Sequence, residues 1–197
     1  MLCTVIGLVG GIASGKSTVA KYIRERLKAV HVDADAVAHR VLDRPAVRRI
    51  LAERFPEAKN PDGSMNRKAL AELAFLDPAA HEALERATHP HIERAMKRAI
   101  SRARAPFVLL DAALLQETGA DALCDLVVYV ACPARERRRR ARTDRGWSEE
   151  QHRRREARQW SCVRKRSRAD LAVDNGGGPE QTRLEVGRLV DRIRERS

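Results

Sequence analysis

The sequence predicts an α/β fold, in which a parallel five-stranded sheet is flanked by helices. Short apolar runs alternate along the chain with longer segments whose apolar residues recur at helical spacing, and this alternation is typical of parallel strands joined by helices. The first run, Thr4–Leu8, leads directly into a glycine-rich loop. Hydrophobic residues make up 43% of the 197 residues, which is enough to build a core and argues against disorder.

The predicted strands are short, nearly continuous apolar runs, as expected of strands buried on both faces. After Thr4–Leu8, the other four are Ala29–Val32, Phe107–Leu110, Leu126–Cys132 and Leu171–Val173. The helices predicted beside them are Lys16–Leu27, Ala134–Thr143, Ser148–Arg164 and Gln181–Arg196. Ser148 is expected to be an N-cap, because a serine hydroxyl can accept a hydrogen bond from a backbone N–H of the first helical turn.

The middle of the chain, from about Ala36 to Arg104, is predicted to be helical. Its prolines, Pro90 among them, are expected near helix starts or breaks, because proline lacks the N–H that a helix interior needs. Asn60–Gly63 is predicted to be a turn. Since the chain has no repeat and no linker, we expect one domain over residues 1–197, made of a core (about 1–35, 105–133 and 169–197), a helical region (about 36–104) and an arginine-rich segment (about 134–168).

Several classes of protein are disfavoured by what the sequence lacks. The longest apolar runs are far too short to cross a bilayer, and no basic region precedes a long apolar stretch at the N-terminus. We therefore expect a cytoplasmic protein without a membrane association. The four cysteines contain no pair two residues apart, which argues against zinc-ribbon and thioredoxin-like sites and favours buried, reduced thiols.

The positive charge of the chain is concentrated in one segment. The formal net charge is +12, and the stretch 135–168 alone contains 15 basic and 5 acidic residues. Such a cluster attracts polyanions, which are either the phosphates of a bound substrate or a nucleic-acid backbone. A third interpretation is that more than half of these arginines only form a solvated helix surface. The run Arg137–Arg140 in particular is expected to affect mainly solubility and the response to salt.

The clearest motif is a phosphate loop. Gly10–Ser17 fits the pattern G-x-x-x-x-G-K-[ST] without a gap. Its glycines let successive backbone N–H groups point into one concavity, and the following helix adds its N-terminal dipole. An alternative is a flexible glycine turn that happens to precede a lysine, but the apolar strand before it and the amphipathic helix after it favour nucleoside triphosphate binding. The residues expected to bind ATP are Gly11, Ile12, Ala13, Ser14, Gly15, Lys16, Ser17 and Thr18.

Three of these side chains have predicted roles. Lys16 is expected to reach the β- and γ-phosphates, Ser17 to ligate Mg²⁺, and Thr18 to meet the α-phosphate. A second magnesium ligand is predicted at Asp111, which follows the apolar run Phe107–Leu110 in a Walker B arrangement. The alternative is an ordinary buried strand that ends in a capping aspartate.

Two observations favour phosphoryl transfer over hydrolysis. Ala112 follows Asp111, at the place where hydrolytic motors usually carry a second acid. Asp33 and Asp35 follow the second predicted strand, at the edge of the sheet where ligands collect. Asp33 is predicted to be the general base that accepts the proton of an attacking hydroxyl. Asp35 is expected either to contact the ligand or to cap a helix.

His89-Pro90-His91 is not expected to bind a metal. Two histidines two residues apart do not share a helical face, and no carboxylate cluster accompanies them. His89 is therefore predicted to be a packed or substrate-facing residue.

Taken in order, the motifs resemble those of the dephospho-CoA kinase family over almost the whole chain. The phosphate loop alone is shared by many families, whereas the combination of the later motifs is specific. The matching segments are Val32–Asp35, Asp62-Gly63 with Arg67 and Leu70, Leu84-Glu85 with His89–Ile92, Leu110-Asp111 with Leu114, Leu115 and Glu117, and Gln159, Lys165, Ala169-Asp170 and Asn175.

This resemblance implies a P-loop kinase fold with a helical acceptor region and a mobile lid. It also implies a reaction, in which ATP phosphorylates the ribose 3′-hydroxyl of dephospho-CoA to give CoA and ADP, the last step of coenzyme A synthesis. By position, Asp33 is the base, Asn175 lies near the adenine of ATP, and Arg145 lies in the lid, where it stabilises charge on the transferring group. The residues implied to bind the acceptor are Asp35, Arg67, His89, Leu114 and Glu117.

The sequence departs from the family pattern at three positions. Ala13 stands at a usual glycine, which ordinary backbone angles accommodate if φ is negative there. Ala113 stands at a usual proline and Gln116 at a usual apolar residue, so the acceptor wall is expected to differ.

Two other functions stay open at this point. One is a P-loop kinase that acts on another nucleotide or nucleoside. The other is a nucleic-acid-binding ATPase, which is disfavoured because the arginine-rich segment holds only Trp147 and Trp160 for base stacking. The sequence makes no prediction about oligomeric state.

Overall fold

The computed structural model describes residues 3–197 and contains one parallel sheet of five strands. The strands are β1 (Thr4–Val9), β2 (Val30–Asp33), β3 (Phe107–Asp111), β4 (Leu126–Ala131) and β5 (Leu171–Asp174). Their spatial order is β2-β3-β1-β4-β5, and every neighbouring pair is parallel. The predicted five-stranded parallel sheet is therefore confirmed. Each strand begins and ends within one residue of its predicted boundaries.

Nine α-helices are present in residues 3–197. They are α1 (Lys16–Leu27), α2 (Ala34–Leu42), α3 (Pro45–Arg54), α4 (Arg67–Leu76), α5 (Pro78–Ser101), α6 (Ala134–Thr143), α7 (Glu149–Glu156), α8 (Cys162–Ser167) and α9 (Pro179–Arg194). No helix in this part of the chain is long and apolar enough to cross a membrane.

The chain divides into two compact units. The first consists of the residues up to Asp33 and from Ala103 onward, and the second is Ala34–Arg102. The expected arginine-rich segment, residues 134–168, belongs to the first unit. The core of the first unit is made by the sheet with α1 and α9, where Leu8, Ile23 and Ile193 are fully buried. This packing fixes the loop between β1 and α1 on a rigid support.

The second unit contains α2 to α5, and it corrects the expectation for Pro90. Pro90 lies inside α5 rather than at a break. A proline there removes one helical hydrogen bond, yet α5 is buried on both sides of it, at Ala83, Thr88, Ala95 and Met96. Packing along the whole helix therefore outweighs the local cost. The predicted turn at Asn60–Gly63 is confirmed by a hydrogen bond from Gly63 N to Asn60 O of 2.9 Å.

The predicted helix Ser148–Arg164 is two helices, and a serine caps the start of each. Ser148 is the N-cap of α7 in a capping box with Gln151, as expected for Ser148. Ser161 then accepts a hydrogen bond from Arg164 N and starts α8. The four cysteines are free thiols, but each is only half-buried rather than fully buried.

Candidate active site

The phosphate loop joins β1 to α1, as predicted. Gly15 is the N-cap of α1 with φ 83° and ψ 30°, a left-handed conformation that favours glycine. Space demands glycine there as well, since a Cβ on Gly15 would lie 2.1 Å from Asn175 Nδ2. The Lys16 ammonium donates to Gly10 O over 3.3 Å, across the mouth of the loop. The loop is thus closed and preformed around its lysine.

The backbone at Ala13 does not have the ordinary angles that the sequence led us to expect, since its φ is +58°. A left-handed conformation costs a non-glycine residue about 1–2 kcal/mol. The Ala13 methyl group is buried against Ile12, Ala141 and Trp147, and this contact offsets part of the cost. The loop shape, and not the alanine, therefore determines the backbone angle at this position.

Replacing Ala13 by glycine is expected to change the free energy of unfolding by less than about 1 kcal/mol, because relief of the left-handed strain offsets the lost methyl burial and the added freedom of the unfolded chain. Ala20 is a matched control, since it is buried in the middle of α1. Ala20→Gly is expected to cost about 2 kcal/mol from helix propensity and lost burial. Urea unfolding of both variants tests the difference, and equal losses would show that Ala13 is unstrained.

Two side chains far along the chain, Arg140 of α6 and Asn175 after β5, donate hydrogen bonds to the loop. Asn175, only 3% exposed, donates from Nδ2 to Ser14 O over 2.7 Å and accepts from Thr182 Oγ1 over 2.7 Å. Arg140 donates to the backbone oxygens of Asn175 and Ser14 over 3.0 and 3.5 Å. In this structure both partners of the Asn175 amide are protein groups. Contact of Asn175 with adenine stays a prediction.

The run Arg137–Arg140 is not the uniform surface that its composition suggested. Arg137 is 7% exposed and pairs with Glu156, and its Nη1 would lie 2.7 Å from a Cβ on Gly11. Arg140 is half-buried against the loop. Arg138 and Arg139 are exposed, as expected. Two of the four arginines therefore stabilise the phosphate loop.

Glutamates neutralise a further part of the positive charge of the arginine-rich segment. Glu136 pairs with Arg139 and Arg140, and these two partners lower the pKa of Glu136 to about 2. Glu150 pairs in the same way with Arg153 and Arg154. These intramolecular ion pairs leave fewer guanidinium groups for a polyanion. Whether nucleic acid binds to this segment is not decided by them, and the expectation that it does not bind stays a prediction.

Charged side chains of both signs act on Lys16. The pKa of Lys16 is lowered from 10.5 to about 8, mainly by burial and also by the positive charges of Lys165 and Arg145. The carboxylates of Asp111 and Glu117 act in the opposite direction. An ammonium group held under these conditions has few favourable partners in the protein, and phosphate oxygens would supply them.

The two predicted active-site aspartates lie side by side at the carboxyl edge of the sheet. Asp33 ends β2, Asp111 ends β3, and the two residues are register partners. Asp111 is also the register partner of Leu8 on β1, the strand that leads into the loop. His31 Nε2 lies 3.5 Å from Asp111 Oδ2. The sheet register therefore places both carboxylates at the edge where the phosphate loop begins.

A cavity of about 420 Å³ opens beside the loop. Ser17 and Thr18 line it from α1, Arg145 from the turn after α6, and Gly178 from the start of α9. The Arg145 guanidinium lies 4.8 Å from the centre of the Trp147 ring, and Trp147 packs against the loop residues Ile12 and Ala13. The structure thus brings Arg145 next to the predicted ATP-binding residues.

Glu117 has protein partners that the sequence did not indicate. It follows β3, and its Oε1 forms an ion pair with Lys165 Nζ at 2.9 Å and accepts a hydrogen bond from Trp160 N over 2.8 Å. Leu114, in the same turn, is 38% exposed. Gln116 is buried and donates to Lys165 O over 3.4 Å, so this departure from the family pattern points inward and not toward an acceptor.

Three predicted acceptor residues belong to the second unit. Asp35 lies in the first turn of α2, one residue past the first helical position, so it is not the N-cap. Arg67 begins α4 and pairs with Asp43. His89 is exposed on α5. Their role in acceptor binding stays a prediction.

Sequence reasoning missed Lys165, Arg140 and Thr182 as parts of the site. Their contacts are with residues far along the chain, such as Glu117, Ser14 and Asn175. The one available signal was the position of Lys165 between Gln159 and Asn175 in the family pattern.

The solved structures share this architecture. Thermus thermophilus TT1252 is 35% identical, with a TM-score of 0.85, covering 100% of this chain and 98% of the other. The dephospho-CoA kinase of Campylobacter jejuni is 22% identical, with a TM-score of 0.63 and 98% of each chain covered. The Acinetobacter baumannii shikimate kinase is 17% identical, with a TM-score of 0.56, covering 99% and 95%. The last two show that the fold is that of P-loop kinases.

Sequence comparison identifies the family. The dephospho-CoA kinase of Anaeromyxobacter dehalogenans is 40% identical over 195 residues, which are 96% of this chain and 92% of that protein. The enzyme of Symbiobacterium thermophilum is 39% identical over 187 residues, 92% of this chain and 78% of the relative. The family model described as dephospho-CoA kinase matches residues 4–181. The chain therefore belongs to the dephospho-CoA kinase family.

Proposed function

We propose that this chain transfers the γ-phosphoryl group of ATP to the ribose 3′-hydroxyl of dephospho-CoA, giving CoA and ADP. The observation that carries the proposal is the placement of two carboxylates, Asp33 and Asp111, in register at the sheet edge where the Lys16 loop begins. Membership of the family supplies the acceptor, because the relatives are dephospho-CoA kinases. The reaction is the last step of coenzyme A synthesis.

The phosphate loop supplies most of the stabilisation. Backbone N–H groups of the loop and the N-terminus of α1 bind the phosphates, and the Lys16 ammonium reaches the β- and γ-phosphates. Because phosphoryl transfer develops charge on the equatorial oxygens, fixed positive groups that need no reorganisation lower its barrier. Arg145 is proposed to add a second cation to the transferring group, from its place beside Trp147.

The residues that would hold Mg²⁺ are Ser17 and Asp111. A hydroxyl and a carboxylate are oxygen ligands of the kind that Mg²⁺ prefers, and this ion commonly takes one or two protein ligands together with substrate phosphates. No group of three or more His, Cys, Asp or Glu residues within 3–197 is arranged to hold a metal, so the phosphates of ATP are needed to complete such a site. Mg²⁺ would neutralise charge on the β- and γ-phosphates.

Asp33 is proposed to accept the proton of the attacking hydroxyl. The bond between the ribose O3′ and the γ-phosphorus forms, the bond between that phosphorus and the β–γ bridging oxygen breaks, and ADP leaves with the electron pair. The hydroxyl proton passes to the Asp33 carboxylate, which is exposed at the end of β2. Asp35, Arg67, His89 and Leu114 are proposed to bind the acceptor.

A coupled ADP-release assay over several acceptors tests the proposal. Dephospho-CoA is expected to be a good acceptor, whereas AMP and adenosine are expected to be poor. They lack the pantetheine arm, whose remote binding energy aligns the hydroxyl. A higher kcat/KM with AMP or a nucleoside than with dephospho-CoA would leave a P-loop kinase in place but refute the proposed acceptor.

A further inference from the structure

Lys165 is the largest fully buried side chain of the described residues. It is 1% exposed, although it carries an ammonium group. Its Nζ lies 2.9 Å from Glu117 Oε1 and 3.1 Å from Gln159 Oε1. The other carboxylate oxygen, Glu117 Oε2, is buried and has no hydrogen-bond partner among residues 3–197. Lys165 and Glu117 therefore form a buried ion pair in which the carboxylate is incompletely satisfied.

Such a pair is a poor way to stabilise a fold. Removing two charges from water costs several kcal/mol per ion, and the attraction between them often fails to repay it. Apolar side chains of similar volume commonly do as well or better at such positions. The incomplete satisfaction of Glu117 makes the balance worse here. A contribution to stability therefore does not explain why this position holds an ion pair and not apolar side chains.

The pair lies next to the phosphate loop. α8, which carries Lys165, packs through Cys162 against the loop, since the Cys162 sulfur would lie 2.8 Å from a Cβ on Gly11. Lys165 is one helical turn further along. The turn that carries Glu117 packs through Leu115 against Gly7 of β1. Both partners are thus fixed to the segment that ends in Lys16.

The positive member of the pair lies on the helix that contacts the loop at Gly11, whereas the turn with Glu117 contacts β1 at Gly7. Repulsion from Lys165 acts more strongly on Lys16 than attraction from Glu117 does, since Lys165 is the larger of the two electrostatic causes that perturb the pKa of Lys16. Lys165 itself is too deeply buried to touch a ligand in this structure. Its charge can act on a bound phosphate only through space, in surroundings of low dielectric constant where such effects are large.

We propose that Lys165 is a positioning residue of the phosphate site, whose buried charge keeps the field around Lys16 positive, and that Glu117 holds Lys165 in place rather than binding the acceptor. This inference rests on the proposed function only in that a nucleoside triphosphate occupies the loop. The proposal implies that the two members of the ion pair have opposite effects on the affinity for ATP. Lys165 attracts the phosphates, and Glu117 weakens that attraction.

The opposite signs give the test. ATP affinity is measured calorimetrically with MgCl₂ present, no acceptor and constant ionic strength, because salt screens such effects. Lys165→Met is expected to weaken ATP binding by at least about tenfold, and Glu117→Gln to strengthen it several-fold. In the latter variant the glutamine amide oxygen can still accept a hydrogen bond from Lys165. Arg166→Met removes one positive charge from an exposed position of the same helix and is expected to change the affinity by less than about twofold.

A double variant protects the test against a folding defect. Lys165→Met alone leaves the Glu117 carboxylate buried and unpaired, so its urea midpoint is expected to fall. The variant that combines Lys165→Met with Glu117→Gln has neither charge of the pair and is expected to recover most of that stability. It differs from Glu117→Gln only at Lys165, and we expect it to bind ATP about tenfold more weakly than Glu117→Gln.

If both single variants weaken ATP binding, or if the double variant binds ATP as tightly as Glu117→Gln, the pair is only structural and the inference is wrong. Because no acceptor is present, these results are independent of whether the wild-type protein phosphorylates dephospho-CoA. Failure of the proposed reaction would appear only in the acceptor assay.

Discussion

Replacing Asp33 by asparagine is expected to lower kcat with dephospho-CoA by about 10²–10⁴-fold, the range usual for loss of a general base. A ribose hydroxyl is a weak nucleophile at neutral pH, and a carboxylate within hydrogen-bond reach assists as its proton leaves. Asparagine keeps the size of the side chain and much of its hydrogen bonding but cannot take the proton. ATP affinity is expected to change little, because the loop is untouched.

Asp174 provides a matched control for this substitution. It ends β5, the opposite edge strand of the same sheet, and it is exposed as Asp33 is. Its Oδ1 accepts a hydrogen bond from Gly176 N, which an asparagine oxygen can also accept. Asp174→Asn is expected to leave kcat within about twofold of the wild type. If Asp33→Asn keeps most of its kcat in the same steady-state assay, Asp33 is only a structural residue between β2 and α2 and not the base.

The parts of the site that the sequence predicted are those with local signals. A continuous apolar run predicts a buried strand, and a glycine-rich loop before an amphipathic helix predicts an anion site. The carboxylates of Asp33 and Asp111 were predictable because each follows such a run directly. Their registration with each other across β2 and β3 follows from the parallel sheet. Nothing further along the chain is needed for these inferences.

The parts that were missed depend on distant partners. The sequence suggested that Arg137 and Lys165 belong to a solvated basic cluster, but both are buried, and each forms an ion pair with a glutamate, Glu156 and Glu117 respectively. The pairing of Arg140 with the loop spans 126 positions of the chain. Ala13 takes a left-handed φ because the loop requires it, which its own residue type disfavours. Pro90 continues a helix that packing supports. In each case tertiary contacts outweigh the local preference.

Replacing Lys16 by alanine is expected to lower ATP turnover by about 10²-fold or more while the protein stays folded, because electrostatic stabilisation of the transferring group dominates phosphoryl transfer. The Lys16 ammonium donates to Gly10 O over a long 3.3 Å, so its removal leaves little unsatisfied. Burial and the charges of Lys165 and Arg145 already disfavour the ammonium in the free protein, as the pKa of about 8 indicates. Substitution of Lys16 by a neutral residue should therefore not destabilise the fold.

Lys21→Ala is the control, since it removes an exposed lysine from the same helix. Steady-state kinetics and urea unfolding of both variants separate the two contributions: near-normal turnover in Lys16→Ala would refute the assignment of the loop, whereas a large loss of stability would show that the lysine supports the fold.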